Sequence, residues 1–127
     1  MSEKSIAQKL FIKPGCKFLL VNPPDGYLVK LGELPQGTVL LSNSSGLVEA
    51  IQVFVANRSE LEEKLPRLKE RMTLKGMLWV TYHKGTSKVK TDINRDTINA
   101  FAHTLGLEGV AIVSINEDWS ALRLKLI

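Results

Sequence analysis

The side chains able to do chemistry are few and scattered. Two histidines, His83 and His103, share no motif with each other, with Cys16 or with a pair of carboxylates. Three such residues without ligand spacing make no zinc site, so no metal is expected. Cys16 has no second cysteine to pair with, which fits a reducing, cytoplasmic compartment. Its place beside an apolar run reads as a buried, inert thiol. His103, between Phe101 and Leu105, reads as a helix-face residue, and Trp79 and Trp119 read as packing residues. Glu117 and Asp118 beside Trp119 read as solvent-facing turn residues. No phosphate loop or nucleophile elbow is present. Positive charge does cluster: Lys64, Arg67, Lys69, Arg71, Lys75, Lys84, Lys88, Lys90 and Arg95 face only Glu70 and Asp92. That stretch carries +7 of a chain whose net charge is +4. It reads as a solvated helix face followed by a Lys-rich loop, or as a weak nucleic-acid contact.

These residues must be positioned by a small domain. The chain has 127 residues, 44% of them apolar and 24% charged, so one domain over 1–127 with an ordinary core is expected. No apolar run approaches the ~20 residues that span a bilayer. No apolar stretch follows Met1-Ser2-Glu3-Lys4 as a signal peptide would require. A short helix is expected from Ser5 to Phe11, then a strand over Lys17–Val21 stopped by Asn22-Pro23-Pro24-Asp25-Gly26. Tyr27 to Leu34 reads as a helix with Asp25 as its cap, and Thr38–Leu41 as a strand. A third strand is expected over Ala50–Ala56. Ser59 with Glu62 forms a capping box at the head of a helix whose stripe is Leu61, Leu65, Leu68 and Met72. Pro66 should kink or restrict that helix, and Lys75-Gly76 should stop it. Met77–Tyr82 is a fourth strand, Asn94–Leu105 a helix, and Val110–Ile115 with Leu122–Leu126 an antiparallel hairpin. Strands alternating with helices argue a mainly parallel sheet of about six strands with helices on its faces.

In such sheets ligands bind outside the carboxyl ends of the strands. The residues arriving there are Asn22, Asp25 and Tyr27 after the first strand, and Ser42 to Ser45 after the second. Asn57, Arg58 and Ser59 follow the third strand, and His83, Lys84, Thr86 and Ser87 the fourth. The helix beginning near Ser59 offers free amides and a favourable dipole, with Lys84 and Lys88 as counter-charge. A small anionic ligand at this rim is therefore one expectation.

A resemblance sharpens the fold. Ile51–Val55, the helix Glu60–Met72, Leu74-Lys75-Gly76 and Met77-Leu78-Trp79-Val80 are together similar to a passage of Rossmann-like class I methyltransferases. That passage runs strand, helix, leucine-lysine-proline-glycine-glycine, strand. The following helix and terminal hairpin resemble the family's last elements. Across most of the chain, Ile12-Lys13-Pro14-Gly15, the Pro-rich first turn and Glu117-Asp118-Trp119-Ser120 resemble a small group of stand-alone domains of unknown function related to that fold. The resemblance implies a three-layer α/β/α architecture.

The sequence departs from a working methyltransferase where the cofactor should sit. The family's first strand ends in a glycine-rich turn, and an acid about 20 positions on holds the ribose. Here two prolines remove two amide donors, and the second strand ends in Leu41-Ser42-Asn43. The segment between Leu41 and Ile51 is too short for a further helix–strand–helix unit. Asn22-Pro23-Pro24 resembles the Asn/Asp-Pro-Pro-aromatic motif of amino-methyltransferases, but Asp25 stands at the aromatic position and Tyr27 comes two residues late. The reading is a non-catalytic, methyltransferase-like binding or interaction domain without a cofactor. The alternatives are a small enzyme or anion binder using the rim around Asn22, Asp25 and His83, and a nucleic-acid binder through Lys64–Arg95. The sequence names no partner; a homodimer is one arrangement that the sheet edges could support, with the final strand as a candidate pairing edge.

Overall fold

A computed structural model describes residues 5–42, 46–85 and 91–127. Six strands form one sheet in the order β2-β1-β3-β4-β6-β5. The strands are β1 (Lys17–Val21), β2 (Val39–Leu41), β3 (Val48–Phe54), β4 (Met72–His83), β5 (Leu107–Ser114) and β6 (Trp119–Leu126). The first four run parallel, whereas β6 runs antiparallel to both β4 and β5. The helices are α1 (Ile6–Lys9), α2 (Tyr27–Leu31), α3 (Arg58–Lys69) and α4 (Arg95–Thr104). No helix among the described residues is long and apolar enough to cross a membrane.

The expected alternation is realised because the central strands are apolar on both faces. In β3 every residue except Glu49 is buried, as a strand covered by helices on each side requires. Ile51, Val53, Leu78 and Val80 pack with Leu61, Leu65 and Leu68 of α3 and with Ile98 and Ala102 of α4. Phe18, Leu20, Phe54 and Trp79 point the other way, onto Ile6 and Ala7 of α1 and Tyr27 and Leu31 of α2. The indole N–H of Trp79 donates to the carbonyl of Leu10 at 3.0 Å, pinning the end of α1 to the middle of the sheet. The architecture is thus three layers, α/β/α.

Several boundaries differ from the sequence reading, each for a local reason. The cap of α3 is Asn57 rather than Ser59: its Oδ1 accepts from the Glu60 amide at 2.9 Å. Glu60 in turn accepts from the Ala56 amide at 2.7 Å, one residue before the cap, so the head of α3 is secured two residues earlier than Ser59–Glu62 without a full capping box. Gly26, in the left-handed region at φ +79°, caps α2 in place of Asp25, with no side-chain hydrogen bond. α3 carries Pro66 inside it and ends at Lys69, and Met72 already belongs to β4. Lys75-Gly76 therefore stops no helix. Val48 pairs with Met72 and Ala50 with Met77, so Thr73–Gly76 forms a bulge in β4, with Leu74 90% exposed. The final strand β6 is not an edge, because it lies between β4 and β5, and the open edges are β2 and β5.

Candidate functional site

The carboxyl ends of β1, β3 and β4 come together, as the topology predicts, but protein side chains occupy the space there. Asn22 adopts φ +57° and donates from Nδ2 to the Phe54 carbonyl at 3.1 Å, tying the end of β1 to the end of β3. Tyr27 is 2% exposed. Its hydroxyl donates to Gln52 Oε1 at 2.8 Å, and Gln52 Nε2 donates to Thr81 Oγ1 at 3.0 Å. This chain crosses α2, β3 and β4 with Gln52 and Thr81 fully buried. Burial pushes the Tyr27 hydroxyl far above its ordinary range, although the Gln52 hydrogen bond pulls the other way.

An aromatic row continues from Tyr27 along the same face. Tyr27 meets Phe54 edge-on at 4.6 Å, and Phe54 meets Trp119 edge-on at 4.9 Å. Trp119 stacks on His83 at 3.9 Å, and the Nδ1 of His83 is buried with no protein acceptor or donor. Lys84 is held by the hairpin: its Nζ donates to Ser114 Oγ, and its amide donates to the Asp118 carbonyl at 2.8 Å. Asp25 is exposed, as are Ser59 and Arg58, and Arg58 pairs with Glu62 at 3.1 Å. Thr86 and Ser87 lie outside the described residues, as do Ser44 and Ser45.

The expected anion site at the head of α3 is taken by the protein's own carboxylates. Asp92 Oδ1 accepts from the Arg58 amide at 2.8 Å, and Glu60 accepts from the Ala56 amide. The hydroxyl of Thr91 donates to the Ala56 carbonyl at 2.7 Å. The Arg58 and Glu60 amides at the head of α3 are thus satisfied internally. The described residues of the basic stretch are spread over several elements. Lys64, Arg67 and Lys69 lie on α3, while Lys75 and Lys84 sit at opposite ends of β4. Cys16 is buried and unpaired, and burial raises its thiol pKa above 9.0.

Comparison with solved structures locates this arrangement among known folds. A TehB-like SAM-dependent methyltransferase from Corynebacterium glutamicum superposes with a TM-score of 0.64 at 12% identity, over 97% of this chain and 88% of that one. The fold is methyltransferase-like. The tRNA methyltransferase TrmK of B. subtilis matches at 0.53 and 12% identity, covering 99% of this chain and 67% of that one. A protein of the NADB-Rossmann superfamily from Streptococcus agalactiae matches at 0.56 and 14%, over 99% and 69%. No protein-family profile and no curated protein matches the chain.

The residues of this methyltransferase-like chain do not fit S-adenosylmethionine. The turn after β1 offers prolines at 23 and 24 where amide donors are needed, and the side chain of Tyr27 fills the core behind it. Ser42, after β2, provides no carboxylate for a ribose. Gln52, Phe54, Thr81 and Trp119 escaped the sequence reading of this rim. Gln52 carried a signal, as a polar residue within the otherwise apolar run Ala50–Phe54.

Proposed function

We propose that the chain is a non-catalytic binding domain, a single unit over 1–127 that keeps the methyltransferase architecture without its cofactor site. The observation that carries this reading is the filled rim, where Tyr27, Phe54 and Trp119 pack edge-to-face across the strand ends. A cofactor pocket there would require removing a buried hydroxyl from Gln52 and opening a packed aromatic row, both unfavourable. The buried thiol of Cys16 suits a reducing, cytoplasmic setting.

Thermal unfolding followed with and without S-adenosylmethionine tests the proposal. A ligand present at 100 times its Kd stabilises by about 2.7 kcal/mol, which raises Tm by several degrees in a domain this size. No shift is expected from S-adenosylmethionine or its demethylated product at millimolar concentration. A saturable rise in Tm, or transfer of a labelled methyl group to any acceptor, would refute the reading.

A further inference from the structure

At the opposite end of the sheet from the rim, where the parallel strands begin, lies a cavity of about 490 Å³. That volume falls within the roughly 300–1,000 Å³ of small-molecule sites. Its wall combines Lys13, Lys75 and Arg123 with a single carboxylate, Glu49. Glu49 Oε1 is already engaged, accepting from the Lys17 amide at 2.9 Å. None of the three cations is ion-paired among the described residues. The remaining wall is largely apolar, including Phe11 and Met77.

Arg123 is the unusual member. On β6, Leu122 and Leu124 turn into the core with α3 and α4, while Ala121 packs on the other side with Trp79. By alternation Arg123 follows Ala121 on that second face, in register with Trp79, at a position where an apolar side chain would complete the packing. Its Nε is buried and finds no protein acceptor. Arg123 is partly exposed, and its guanidinium has no carboxylate partner to offset the burial of Nε.

Two backbone irregularities open onto the same space. The β4 bulge brings Thr73 and Lys75 to the cavity, and bulges serve to re-aim side chains in this manner. Phe11 adopts φ +56°, a strained value for a bulky residue, and leaves its ring 52% exposed at the wall.

We propose that this cavity binds a small amphipathic anion, a carboxylate or phosphate group carried on an apolar body, with Arg123 as its anchoring charge. The guanidinium supplies donors in the geometry that carboxylates and phosphates accept, and Lys75 and Lys13 add counter-charge. Phe11 and Met77 cover the apolar part. The site rests on no property of the strand-end rim, so cofactor binding there would overturn the previous reading and leave this one standing.

Titration of the isotope-labelled chain with octanoate, octyl phosphate and uncharged octanol, followed by amide NMR shifts, tests the proposal. Saturable shifts are expected at residues 11–17, 49–50, 73–77 and 123 with an anionic probe, and the tighter of the two identifies the headgroup. Arg123→Met should weaken that binding about ten-fold or more. Lys75→Ala, on an exposed residue whose loss leaves the fold intact, should weaken it by a smaller factor. Octanol binding as tightly as the anions would overturn the proposal. So would unchanged affinity in both variants, or the absence of localised shifts with either anion at roughly 10 mM, a concentration that reveals even millimolar Kd values.

Discussion

Tyr27→Phe removes one oxygen from the chain that runs Tyr27–Gln52–Thr81 and leaves the ring's packing against Phe54 unchanged. The carbonyl oxygen of Gln52 then stays in a fully buried position without its donor. A buried group left unsatisfied costs about 1–3 kcal/mol, so the variant should lose that much stability and several degrees in Tm. A second variant, Tyr27→Phe with Gln52→Leu and Thr81→Val, removes all three polar groups together and should recover much of the loss. The hydroxyl also sets a pH dependence. Burial raises its folded-state pKa above the ordinary 10.0, so its stabilisation is complete below about pH 10. Above that the unfolded chain ionises first, and stability falls by about 1.4 kcal/mol per pH unit until the folded-state pKa is reached. Urea unfolding from pH 8 to 11 by circular dichroism measures both effects. Tyr27→Phe should flatten the alkaline decline, leaving the smaller contribution of Tyr82, whose pKa burial also raises. A variant as stable as the parent, with the same alkaline slope, would refute the buried chain as a stabilising element.

Four further outcomes follow from the geometry. Asn57→Ala should cost about 1 kcal/mol by removing the α3 cap, whereas Ser59→Ala should change stability by less than about 0.5 kcal/mol, measured by chemical denaturation. Iodoacetamide should alkylate Cys16 far more slowly than a free thiol at pH 7.5, since burial favours the unreactive protonated form, as mass spectrometry over time can follow. Trp79→Phe should cost about 3 kcal/mol or less, by leaving the Leu10 carbonyl without its donor and by opening a small void, as read from Tm. Binding to mixed oligonucleotides should lack the steep salt dependence of multiple phosphate contacts, because the described basic residues are divided among α3, the two ends of β4 and the head of α4.

The layered fold was legible because its signals are continuous and local. Phe18–Val21 and Met77–Val80 are apolar on consecutive residues, the pattern of a strand covered on both faces. The head of α3 was ambiguous, since Asn57…Glu60 and Ser59…Glu62 have the same spacing. Asp92, 34 residues away from the amide it meets, joins in securing the earlier one. Lys75-Gly76 looked like a helix stop because a bulge uses the same turn-forming residues as a helix end. Topology brings Asn22 and Tyr27 to the ends of the parallel strands, yet nothing local to Tyr27 says that its ring turns inward. That follows from Gln52, 25 residues on, and from Trp119. Arg123 went unremarked because Leu122–Leu126 reads as an ordinary alternating strand, and its environment depends on which face α1 covers.

The bond between Trp79 and Leu10 bears on how the chain assembles during synthesis. It joins residues 69 positions apart, so α1 leaves the ribosome well before the strand that fixes it exists. Until β4 has been made, Ile6, Ala7 and Leu10 have no indole to close over, and an isolated helix of four residues does not persist in water. Helix α1, made before β4, is thus a late one to dock. A pulse of protease during translation should cut near residue 10 in nascent chains that end before residue 79, and spare that site once β4 is in place.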